Sequence, residues 1–142
     1  SLFWDKTCCI RSKIIFIIIL LLMQQVLSQN NDRVASILKE ESKELNMMLP
    51  MEIDEETRLD ITYVINNDTF IYSYTLINYD KKDFKEPDIK AMKLIMKKTI
   101  TDMWRSDPDF VYYRINKVNL IYKYKDKYGI HLFEFSFNAG QL

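Results

Sequence analysis

Glycine is nearly missing: Gly129 and Gly140 are the only two in the chain. A phosphate-cradling loop needs several glycines so that backbone amides can converge on the anion, which excludes nucleotide sites of the Rossmann or P-loop kind. Histidine is as scarce, with His131 alone, and an isolated imidazole with no nucleophile pattern around it offers no general base. Both cysteines, Cys8 and Cys9, stand before the apolar run Ile14–Met23. None remains beyond it to serve as nucleophile, zinc ligand or disulfide half. An excess of one charge is missing too, because 20 Lys and Arg balance 20 Asp and Glu, so no overall field steers the molecule to a polyanion. Residues 1–28 hold Lys6, Arg11 and Lys13 against Asp5, which leaves the remainder faintly acidic. These absences predict a chain that is not an enzyme, with no cofactor, no metal site and no nucleic-acid partner.

The N-terminal stretch carries a modest positive excess and then the wholly apolar IIFIIILLLM of Ile14–Met23, ended by Gln24 and Gln25. That run is shorter than the about 20 residues a membrane helix needs and suits the roughly 7–15 residue core of a secretory signal. Val26-Leu27-Ser28 presents a cleavage site before Gln29. Residues 1–28 therefore read as a signal peptide, and residues 29–142 as a single α+β domain exported to the periplasm or cell envelope, or secreted. If the segment is retained as an anchor, the domain is held at a membrane and the Cys8-Cys9 pair becomes open to acylation.

Beyond the signal, Asn30–Leu49 carries Val34, Ile37, Leu38, Leu45 and Met48 at helical spacing, with Asn30 to Asp32 as caps and Pro50 as terminator. Met51–Thr57 is acidic and reads as a solvated connector rather than a calcium loop, since the turn glycine of such a loop is missing. Arg58–Ile65 alternates, with Leu59, Ile61, Tyr63 and Ile65 on one face. Asn66-Asn67-Asp68 turns the chain into Thr69–Tyr79, a strand with Phe70, Tyr72, Tyr74 and Leu76 on one side. Pro87 opens a second helix to about Arg105, striped by Ile89, Met92, Met96, Ile100 and Met103, with Lys90, Lys93 and Lys97 on its far side. Asp107-Pro108 starts a short helical turn. Lys117–Lys125 and Ile130–Phe137 then form a second hairpin about Asp126-Lys127-Tyr128-Gly129, and Ala139–Leu142 reads as a frayed tail.

The order α-β-β-α-β-β predicts a four-stranded, mainly antiparallel sheet with both helices on one face. The face beneath the helices gathers Phe70, Tyr72, Tyr74, Tyr122, Tyr124, Phe133 and Phe135 as the core. The opposite face is expected to show Asp60, Thr62 and Val64, then Ile71, Ser73 and Thr75, then Ile121 and Lys123, then Leu132 and Glu134. Large aliphatics on an uncovered sheet face mark a docking surface. The predicted binding residues are Ile71, Thr75, Ile121, Lys123 and Leu132, engaging a protein partner or a second copy.

Four stretches carry a resemblance: Leu45-Asn46-x-x-Leu49-Pro50-Met51, Asp54-x-x-Thr57-x-Leu59, Thr69-Phe70-x-Tyr72-x-Tyr74-x-Leu76 and Tyr122-x-Tyr124-x-Asp126-Lys127-Tyr128-Gly129. Together they resemble a family of small exported bacterial proteins of unknown function. Members of that family often carry a cysteine pair after the second helix and at the C-terminus, which this chain lacks. The resemblance implies an envelope location and no activity. The expected role is a non-enzymatic, protein-binding envelope module, with a small inhibitor or immunity-type protein and a lipid or small-ligand carrier as alternatives.

Overall fold

The computed structural model describes the backbone of residues 4–142 and side-chain surroundings from residue 15 onward. The side chains of Cys8, Cys9, Lys6, Arg11 and Lys13 lie outside the described residues. The elements are α1 (Trp4–Asn46), β1 (Met51–Glu52), β2 (Thr57–Ile65), β3 (Thr69–Leu76), α2 (Glu86–Ser106), α3 (Val111–Ile115), β4 (Asn119–Lys125) and β5 (His131–Asn138). Short 3-10 turns at Lys81–Asp83, Pro108–Phe110 and Ala139–Gln141 complete the set.

The chain divides into two units, one up to Arg33 and one from Val34 to Leu142. In the first, Ile15–Met23 are helical and each is 46–65% exposed, so among the described residues of this unit nothing covers that apolar surface. Among the described residues no helix is long and apolar enough to cross a membrane. Asn30, Asn31 and Asp32 lie within α1 instead of capping a new helix. The residues before them are helix formers, so nothing obliges the helix to restart there.

In the second unit the sheet runs β1-β2-β3-β4-β5. β2 and β3 are antiparallel, as are β4 and β5, and Asn66 (φ 52°) and Asn67 (φ 64°) supply the left-handed turn of the first hairpin. The two hairpins join through a parallel β3–β4 pair, Tyr72 opposite Tyr122 and Tyr74 opposite Tyr124. This pair is the one exception in a sheet that is otherwise antiparallel, as expected. A long connection containing α2 carries the chain back to the end at which β3 began, and a strand that starts there pairs in parallel. A fifth strand, β1, comes from the acidic connector, where Met51 and Glu52 pair with Leu59 and Arg58. There are also three helices and not two, since the turn after Pro108 continues into α3.

The core beneath the helices is aromatic and ordered in rows. Tyr72, Tyr122 and Phe135 stack across β3, β4 and β5 with centroids 4.9 and 5.3 Å apart. Tyr74, Tyr124 and Phe133 make a second row at 5.1 and 4.9 Å. Val34 and Leu38 of α1, Trp104 of α2 and Tyr113 of α3 close over these rows, so the helices of this unit share one face. Trp104 Nε1 donates to Tyr122 Oη at 2.6 Å, which satisfies both polar tips inside the apolar layer. The C-terminus is packed, not frayed. Ala139 is fully buried, Leu142 lies against the core, and Asn138 holds the turn by accepting from Gly140 N at 2.9 Å.

Two bulges change which residues face outward. Leu59 is opposite Tyr74 and Ile61 is opposite Ser73, so Asp60 is an extra residue in β2. Past it the alternation flips: Thr62 and Val64 join the aromatic face, and Ile61 and Tyr63 turn to the other. In β5, Tyr124 opposes Phe133 while Lys125 opposes His131, which leaves Leu132 as the extra residue. Leu132 is buried in the hydrophobic cluster, contrary to its expected outward position.

Candidate functional site

The predicted docking face is largely closed by its own side chains. Ile71 is 1% exposed and Thr75 is 6% exposed. Ile71 lies in register between Tyr63 and Ile121, whose side chains flank it from the neighbouring strands. Lys123 Nζ donates to Tyr63 Oη at 3.2 Å and sits 5.8 Å from its ring centroid. Asp60 accepts from Thr75 Oγ1 at 2.6 Å, from Arg58 Nε at 2.7 Å and from Lys125 Nζ at 3.2 Å. Burial pushes the Asp60 carboxyl up, but these three donors outweigh it and hold the group below the usual carboxylate range. Ile71 and Thr75 are brought together beneath this lattice, Leu132 is withdrawn into the core, and Ile121 and Lys123 remain half-buried at the surface.

A groove that sequence reasoning missed runs between the end of α1 and β2. Asn46 builds its inner wall: its side-chain amide donates to the Thr62 carbonyl and accepts from the Thr62 N–H, both at 2.8 Å. The carboxamide thus occupies the place of a neighbouring strand. Thr62 Oγ1 and Ser42 Oγ meet at 3.0 Å, a second link between helix and strand. Because both backbone groups of Thr62 point away from β3, those of Val64 do as well by the alternation of an antiparallel ladder. Around this clip lies an open groove of about 490 Å³, lined by Lys39, Lys43, Met47, Ile61, Tyr63 and Val64. Met47 is 74% exposed and Ile61 47% exposed, the latter because the Asp60 bulge turned it outward. An adaptable Met47 and an outward Ile61 share it with Lys39, which donates to Asn67 Oδ1 at 3.1 Å, and Lys43, which pairs with Glu40 at 2.9 Å, so the groove suits an amphipathic polypeptide.

The titratable groups elsewhere are structural. His131 is exposed, and its carbonyl accepts from Lys81 Nζ at 2.9 Å. Asp126 is fully buried and accepts from the backbone N–H groups of Lys81 at 3.1 Å, Tyr128 at 2.9 Å and Ile130 at 2.8 Å. Burial pushes its carboxyl up, and the backbone donors more than offset that, so it sits below the usual range. Burial pushes the phenols of Tyr72, Tyr74, Tyr122 and Tyr124 up. Tyr113 Oη donates to Glu41 Oε2, tying α3 to α1. Among the described residues no group of three or more His, Cys, Asp or Glu side chains is placed to hold a metal ion. The apolar stripe read from the sequence ends on Met103, whereas the buried position is Trp104, one residue on and a full turn after Ile100.

With this geometry in hand, residues 31–133 match the model of a family described as a domain of unknown function, DUF8479, and the chain belongs to that family. An uncharacterised family is consistent with the resemblance drawn from the four motifs. No curated protein matches. Three solved structures share the fold. A Pseudomonas aeruginosa protein inferred to be secreted has a TM-score of 0.59 at 15% identity, covering 78% of this chain and 93% of its own. EpsS, a pilotin from the Vibrio vulnificus type 2 secretion system, scores 0.62 at 12% identity over 80% and 94%. AspS, a type II secretion pilotin from Vibrio cholerae, scores 0.60 at 6% identity over 82% and 98%. At these identities the likeness is one of fold.

Proposed function

We propose that this DUF8479 member is an exported, non-enzymatic envelope protein that grips a partner polypeptide in the groove between α1 and β2. The observation that carries the reading is the pairing of an outward Ile61 and an exposed Met47 with a rigid backing, the Asn46 clip on Thr62. A groove whose wall is already fixed orders little on binding, so its contacts are less offset by lost freedom. Export is supported by the apolar run ending at Met23 and by the company of the fold, which includes pilotins of type II secretion systems. The carrier alternative needs room between helices and sheet, where the two aromatic rows and Trp104 stand. An inhibitor or immunity role would use the same groove against a single tight partner.

The test is capture from envelope extracts with the full chain, beside Ile61→Glu and the pair Lys39→Glu with Lys43→Glu. A stoichiometric partner should be retained by the original chain and lost, by about tenfold or more in affinity, from either variant. Thermal unfolding should stay unchanged, since all three positions are exposed. Equal capture by all three proteins would remove the groove from consideration and return attention to Ile121 and Lys123.

A further inference from the structure

The outward side of α2 joins charge to exposed aliphatic surface. Lys90, Lys93, Lys97 and Lys98 fall within nine residues, and no acidic residue lies between Ile89 and Thr101. Leu94 stands among them, one helical turn from Lys90, Lys97 and Lys98, and is 71% exposed. Ile95 beside it is 66% exposed. The inward stripe of Ile89, Met92, Met96 and Ile100 packs on the core, so this helix has no spare surface with which to cover Leu94. Lys90 and Lys98 are drawn to Glu86 at 3.8 Å and Asp102 at 2.7 Å, whereas among the described residues Lys93 and Lys97 make no ion pair.

A large aliphatic at the centre of a cationic face adds apolar contact to charge at one place. Lysines around a protruding leucine match an anionic bilayer surface: the ammonium groups meet phosphate, and the leucine enters the boundary between headgroups and acyl chains. Basic side chains near such a surface are each attracted to it, and Lys93 and Lys97, with no ion pair among the described residues, are the most available. The concentration is local, because the chain beyond residue 28 is faintly acidic as a whole. We infer that the Lys90–Lys98 face of α2 is a docking surface for anionic lipid, resting the domain on a membrane independently of the groove.

Amine acetylation read by mass spectrometry on the full chain tests this. The protein is mixed with vesicles of phosphatidylcholine alone or of phosphatidylcholine and phosphatidylglycerol at about 2:1. On the anionic vesicles, acetylation of Lys93 and Lys97 should slow by about threefold or more, and about 0.5 M NaCl should restore it by screening. Lys82 and Lys127, exposed elsewhere, should react at one rate in both mixtures. In a Lys93→Glu/Lys97→Glu variant, Lys90 and Lys98 should lose their protection. Equal acetylation of Lys93 and Lys97 on the two kinds of vesicle overturns the inference. So does protection that appears only with lipid-free envelope protein, which would assign the face to a protein.

Discussion

The two faces of the sheet solve one problem with opposite materials. Beneath the helices, rings in two stacked rows exclude water by area, and Trp104 and Tyr122 satisfy each other's polar tips among them. On the other face no helix of this unit lies over the strands, and Ile71 and Thr75 are nonetheless buried, because Tyr63, Lys123 and the Asp60 ion pairs roof them over. Burial therefore does not require a second layer. A short residue in a central strand can be enclosed by long side chains on the strands beside it.

The contrast can be broken from either side, and the largest effect is expected inside. Trp104→Ala should destabilise the fold by about 3–5 kcal/mol in denaturant titration, since it removes a ring contacting Phe110, Tyr113 and Phe137. A loss below about 1 kcal/mol would mean the helices do not seal the rows. Ile71→Ala should come next, toward the lower end of the roughly 2–5 kcal/mol seen for buried aliphatic truncations, because the half-buried side chains over it have room to settle. A negligible loss would show that the outer face is open to water.

Acid and alkali should separate the faces. The Asp60 carboxyl is depressed in the folded state, so the folded form binds fewer protons than the unfolded one near the usual carboxylate pKa of about 4. Its contribution is present above that value and is lost as pH falls through the folded one. Asp60→Asn should flatten the acid limb of stability against pH. The tyrosine phenols are raised in the folded state, so their contribution is complete below about pH 10 and declines as pH rises beyond it. Tyr74→Phe, which leaves the ring row in place, should soften that alkaline limb. The smallest effect belongs to Lys123→Ala, about 0–1 kcal/mol, because a half-exposed lysine over a phenol ring adds little.

Legibility in the chain divides along the same line. Tyr72, Tyr74, Tyr122, Tyr124, Phe133 and Phe135 announce themselves by strict alternation, and all lie in the core region. Asp60 and Leu132 do not, because a bulge is a backbone event with no residue type of its own. The one at Asp60 reverses the facing of the residues after it, and the one at Leu132 swings a side chain inward. The parallel β3–β4 pair is hidden, since partner choice depends on where a long connection lands. The groove is hidden twice over: by the bulge that exposes Ile61, and by a hydrogen-bonded pair, Asn46 and Thr62, that no local pattern links. The Leu45-Asn46 motif nevertheless holds the clip, and the Asp126 motif holds the buried acceptor of three backbone amides.

The parallel seam between β3 and β4 also bears on when the molecule can take shape during its manufacture. Tyr72 and Tyr74 find their stacking neighbours only in residues 122 and 124, so an emerging polypeptide has half a sheet and no sealed interior until its final quarter is made. Such a chain stays threadable late into synthesis. Under the export proposed above, that delay would keep the chain passable as an extended strand and leave the moment of closure to the far side.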